Sequence, residues 1–125
     1  MQQARPSPGF RRNPDKKITI APHARAVTVS AGSTVLATTR QAKRLEEEGY
    51  PPVLYIPFDD IRFAALERTE TKSHCPYKGD ASYWRLAETG AAPDVMWAYE
   101  DPYEEMLAIK DHGAFYADRV TFEEH

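Results

Sequence analysis

Hydrophobic residues along the chain recur mostly with period two, the spacing that sends alternate side chains to opposite faces of an extended strand. Ile18-Thr19-Ile20 and Ala26-Val27-Thr28-Val29 alternate in this way, and Ser30-Ala31-Gly32-Ser33 is a turn sequence before Val35-Leu36-Ala37-Thr38-Thr39. The pattern predicts a hairpin over 26–39. Gln41 to Gly49 fits two templates, since Ala42 and Leu45 have helical spacing while Lys43-Leu45-Glu47 against Arg44-Glu46-Glu48 reads as a strand edge. Pro51-Pro52 closes that segment, and the apolar run Val53-Leu54-Tyr55-Ile56 predicts a short buried strand. Pro57 to Asp60 reads as a turn, followed by a strand over Ile61 to Glu67 with Ile61, Phe63 and Ala65 on one face.

A further strand is expected over Gly79 to Leu86, with Asp80, Ser82 and Trp84 pointing one way and Ala81, Tyr83 and Arg85 the other. Gly90 to Asp94 reads as a loop, and Val95 to Tyr99 resumes extended structure with Val95, Trp97 and Tyr99 on a shared face. The strongest helix signal is Asp101-Pro102, with Asp101 as N-cap, Pro102 at the first helical position, Glu104 two residues on and His112-Gly113 as the end. Alternation returns over Phe115 to Phe122, placing Tyr116, Val120 and Phe122 together with Asp118. Seven or eight short strands and one short helix describe a mainly β single domain.

Length and composition agree with that reading. The chain has 125 residues, 42% hydrophobic and 28% charged, which suits one soluble globular domain. Residues 1–15 carry Pro6, Pro8, Gly9 and Pro14 among polar residues, so a flexible N-terminal leader is expected there and a β domain over 16–125. The net charge of -3 argues against a general nucleic-acid binder, despite the local excess of Arg5, Arg11, Arg12, Lys16 and Lys17. One cysteine, Cys75, excludes an internal disulfide and a zinc site of several thiolates, and suggests a reducing, cytoplasmic setting. No apolar run approaches the roughly 18 residues of a membrane-spanning helix.

The chemically capable residues concentrate in Thr71 to Trp84, T-K-S-H-C-P-Y-K-G-D-A-S-Y-W. Cys75 is the candidate nucleophile or redox thiol, but His74 can reach it only if the backbone turns between them, and a small cysteine is equally a packing residue. Lys78-Gly79 offers an anion contact without the spacing of a phosphate loop. Asp80 and Glu100 are candidate acid-base groups; each is also explained by pairing with an arginine across strands. The rings Tyr77, Trp84, Trp97 and Tyr99 can line a pocket for a flat ligand, with Lys78, Ser82 and Arg119 orienting its polar group, or they can interlock as core.

Three motifs carry a family resemblance: T-x-T-x-S-H-C-P-Y-K-G-D-A-S-Y-W from Thr69, W-A-Y-E-D-P-Y from Trp97 and F-Y-A-D-R-V from Phe115. With the weaker stretch from Pro51 to Ile61, in which Phe58 stands where an arginine is common, they make the chain similar to the family catalogued as domain of unknown function 427, also labelled nucleotidyltransferase-like. The resemblance implies a compact antiparallel β-tent-like fold, related to zinc-binding domains, a methionine sulfoxide reductase and ligand-binding modules with aromatic cages. The paired C-x-x-C motifs of the zinc-binding relatives are missing, so neither metal nor cofactor is expected. Two functional readings result: a binder of a small polar or nucleotide-like molecule, or an enzyme on such a metabolite using Cys75, Asp80 and Glu100. A homo-oligomer formed through strand edges is a third expectation.

Overall fold

The computed structural model describes residues 4–88, 90 and 93–125. Its ten strands are β1 (Ile18–Pro22), β2 (Val27–Ala31), β3 (Thr34–Thr39), β4 (Lys43–Glu47), β5 (Val53–Pro57), β6 (Leu66–Cys75), β7 (Gly79–Leu86), β8 (Asp94–Ala98), β9 (His112–Phe115) and β10 (Thr121–Glu124). Seven form a sheet in the order β1-β4-β5-β9-β8-β7-β6, and three form a second sheet in the order β10-β2-β3. Every strand pairing is antiparallel.

The predicted hairpin forms as β2 and β3, with Gly32 supplying the positive φ of its turn. The ambiguous segment after Gln41 is a strand, β4, because its backbone is claimed on both sides by β1 and β5. Three expectations change. Ile61 to Glu67 is not one strand: two short 3-10 turns, Phe58–Asp60 and Phe63–Ala65, precede β6 at Leu66. The helix expected at Asp101 is a kinked 3-10 segment, Glu104–Ile109, entered at Tyr103 without a side-chain cap, and His112 begins β9 instead of ending a helix. Phe115 to Phe122 divides between β9 and β10, which belong to different sheets. Of the loop read over Gly90 to Asp94, Ala91 and Ala92 lie outside the described residues.

The large sheet buries both faces. On one, Ile56, Trp84, Met96 and Phe115 meet Val27, Val29, Leu36 and Ala37 of the small sheet in a core between the two layers. On the other, Leu45, Tyr55, Tyr99 and Ala114 are partly covered by Met106 and Ile109 of the 3-10 segment. Burial of each large aliphatic side chain here contributes about 1.5–3 kcal/mol, so the inter-sheet core anchors the domain.

The exposed edge strand β6 carries Glu67, Arg68, Glu70 and Lys72, charges that discourage pairing with another sheet edge. Upstream of β1, Pro8–Arg12 forms a short helix, α1, capped by Ser7, whose Oγ accepts from the Phe10 amide at 3.2 Å. Ser7 is fully buried, its Oγ donating to the Pro76 carbonyl at 2.8 Å and its amide donating to Glu105 at 2.9 Å. The segment read as a leader thus makes specific contacts with the turn between β6 and β7. Gly9 is required at this approach, since a Cβ there would sit 2.9 Å from the Pro76 backbone.

Candidate functional site

Register assembles the site. Tyr83 of β7 pairs with Trp97 of β8, Trp97 with Ala114 of β9, and Ala114 with Tyr55 of β5, giving one cross-strand row on one face of the large sheet. Ala114 is the small member, and over it the Trp97 indole Nε1–H reaches across to donate to Tyr55 Oη at 3.3 Å, the rings meeting edge to face. Tyr99, two residues beyond Trp97, shares its side of the sheet and joins the same packed group. Tyr116 lies 4.7 Å from Trp97 between ring centroids, at 53°. Where the 3-10 segment stops covering this face, a cavity of about 320 Å³ remains.

Its walls are Tyr50, Tyr55, Tyr83, Trp97, Tyr99 and Tyr116, with Cys75, Lys78 and Glu47 among its polar groups. Burial holds the Tyr55 and Tyr99 hydroxyls far above the ordinary phenol range, so both remain protonated donors at any physiological pH. Lys78, only 9% exposed, donates to Glu47 Oε1 at 2.7 Å, and Lys16 Nζ sits 3.2 Å from Glu47 Oε2. Burial acts to raise the Glu47 carboxyl, but the hydrogen bonds and charges of Lys78 and Lys16 outweigh it and hold the group below its usual value.

Of the candidates, Cys75, Lys78, Trp97 and Tyr99 come together at this cavity, whereas the others are dispersed. Trp84, 4% exposed, faces the opposite way: its row is Trp84 to Met96 to Phe115, and its ring packs edge to face on Phe58 and Phe63 at 6.1 and 6.0 Å. Phe58 is thus partly buried, packed against the inter-sheet core. Ser82 alternates with Tyr83 and so follows Trp84, and Glu100 pairs with Arg68 at 2.8 Å, whose guanidinium lies 4.7 Å from the Trp84 ring centroid. The Arg68 hydrogen bond holds Glu100 below the usual carboxylate range against the opposing effect of burial.

Asp80 receives the His74 ring at 2.8 Å on an exposed part of β7 and lines a different cleft with Arg5, Asp101 and Tyr103. That cleft is larger, about 450 Å³, but among its described lining residues Tyr103 is the only aromatic. Tyr77 packs against Phe10 and under Lys16, outside the cavity wall. Arg119 stacks on Tyr116 at 4.4 Å and donates to the Asp94 carbonyl, so it supports a wall without lining the cavity. Since β6 stays extended through Cys75, His74 turns to Asp80 and away from the thiol. The three carboxyl or thiol groups considered for catalysis share no common site. Among the described residues no group of three or more His, Cys, Asp or Glu is placed to hold a metal ion.

Sequence reasoning missed Tyr50, Tyr55 and Glu47 and did not single out Tyr83 and Tyr116 from the other rings. Tyr83 was legible as the residue alternating with Trp84, but the face it shares with Trp97 depends on pairing.

The motif beginning at Thr69 supplies Cys75, Lys78 and Tyr83 to the cavity, the motif at Trp97 supplies Trp97 and Tyr99, and the motif at Phe115 supplies Tyr116. The model of a family described as a domain of unknown function (DUF427) matches residues 19–125. The chain belongs to the DUF427 family. The transferase-like label this family carries names no reaction for the chain. No curated protein matches it. Within this DUF427 domain, the residues of all three motifs meet at the Trp97 cavity, and among the described residues no helix is long and apolar enough to cross a membrane.

Proposed function

We propose that this DUF427 protein binds a small, flat, polar or nucleotide-like molecule in the cavity walled by Tyr55, Tyr83, Trp97, Tyr99 and Tyr116, in a cytoplasmic setting suited to its single free thiol. The observation that carries the reading is the ring-lined cavity on the Trp97 face: Tyr55, Tyr83, Trp97, Tyr99 and Tyr116 wall it, and the Tyr99 hydroxyl makes no hydrogen bond among the described residues. That hydroxyl is free to donate to an acceptor on a ligand. Ring faces supply stacking surface, and a volume near 320 Å³ is at the small end of ligand cavities. Screening small planar compounds by thermal shift tests the proposal. Saturable binding lost in Trp97→Ala and retained in Trp84→Phe supports it; equal loss in both variants refutes the assignment to this face.

A second reading, an enzyme with Cys75 as nucleophile or redox thiol, draws on the position of Cys75 in the cavity wall. It requires a reactive thiolate. Alkylation of the folded protein at the rate of an ordinary thiol, with a pH profile unchanged by His74→Ala, would leave binding as the function.

A further inference from the structure

The cavity's polar groups are mostly donors, and this restricts what it accepts. Tyr55 Oη already accepts from Trp97, which leaves its own proton to donate. Tyr99 has an unspent hydroxyl. The Lys78 ammonium has three N–H groups and one partner, Glu47, among the described residues. Glu47, the only carboxylate among the described wall residues, is engaged on each oxygen by a different lysine, Lys78 and Lys16, so the trio carries one positive charge in excess. Ring faces alone would also attract a cation. The surplus positive charge opposes one, and an anionic acceptor meets the donors instead.

We propose that the ligand is a small planar aromatic anion of the carboxylate class, its ring against Trp97 and the tyrosines and its oxygens taking hydrogen bonds from Lys78 and the Tyr99 hydroxyl. The proposal rests on the reading of this cavity as a ligand site. It adds that Lys78 is the anchor and that Glu47 limits affinity, because the same ammonium serves both the carboxylate and the ligand.

Benzoate, benzamide and benzamidinium share one shape and differ in charge, so they separate the possibilities. Each is titrated to roughly 10 mM, enough to load a site of millimolar affinity, while the two indole Nε1–H resonances are followed by NMR. Benzoate is expected to shift Trp97 saturably and leave Trp84 in place, with benzamide at least roughly tenfold weaker, the scale of one charge-assisted hydrogen bond. Lys78→Gln is expected to weaken benzoate by about the same factor, and Glu47→Gln to strengthen it, a gain that no loss of folding would produce. Benzamide or benzamidinium binding as tightly as benzoate overturns the anion assignment while preserving the cavity. If no probe moves Trp97, the cavity reading itself fails.

Discussion

Trp84 and Trp97 lie on paired strands one register step apart, yet they do opposite work. Trp84 is sealed between two sheets, edge-on to Phe58 and Phe63 and covered by Arg68. Trp97 is half-buried on the other face, bonded to a tyrosine hydroxyl and open to a cavity. The difference comes from what lies over each face: a complete second sheet covers Trp84, while a six-residue 3-10 segment covers only part of the face that holds Trp97. An aromatic residue becomes core or binding surface according to the cover its sheet receives, and its own strand does not decide this.

The largest effect expected from this contrast is on stability. Trp84→Ala should cost about 3–5 kcal/mol, as removal of a large buried ring does, whereas Trp97→Ala should cost less than half as much. Urea unfolding of the two variants measures this, and equal losses would erase the distinction between the faces. Next in size is the support given to the cavity face by α1. Gly9→Ala forces a methyl against the Pro76 backbone and should cost about 1–3 kcal/mol. Faster proteolytic removal of the N-terminal segment, with a lowered melting temperature, would confirm the contact. Ser7→Ala leaves the Phe10 amide without its cap and should cost about 1 kcal/mol by the same assay.

The smallest effect is electrostatic. The Glu47 carboxyl lies below its ordinary value of 4.5 in the folded protein, so its stabilisation is complete above that pH and is lost as pH falls through the folded value. Lys16 lies above 10.5 because of the Glu47 hydrogen bond, so its share is complete below that pH and fades above it. Comparing pH-stability curves of the wild type and Glu47→Gln should show a difference across the middle range that closes at acid pH. It should be the smallest of these effects, because solvent screens the exposed Lys16 partner; curves that stay apart at acid pH would contradict the pairing.

Much of the fold is legible in alternation. Gly79 to Leu86 forms β7 where period two placed it, and the turn at Gly32 marks the β2–β3 hairpin; β8 spans Asp94–Ala98, with Tyr99 just beyond it, and a register shift opposite Trp84 and Arg85 sends Val95 to the inter-sheet core, away from the face of Trp97 and Tyr99. Period two also separated Tyr83 from Trp84 correctly. It could not say which face of β7 matched which face of β8, because that depends on the Tyr83–Trp97 pairing, and Trp84 was therefore grouped with the wrong neighbours. Tyr55 and Tyr116 join the site from segments distant in sequence, and only the sheet order brings them in. The helix signal at Asp101-Pro102 was overridden because the Tyr103 amide bonds to Lys78 and the Glu104 amide to Arg5, which commits the chain to those neighbours before a cap can form.

Single-tryptophan proteins test the two-face account most directly. Acrylamide quenching in Trp84→Phe reports Trp97 alone, and in Trp97→Phe reports Trp84 alone. The account predicts ready quenching of Trp97, suppressed by a cavity ligand, and strong protection of Trp84 with or without one. Equal protection of the two indoles would show that both faces are closed core and would contradict it.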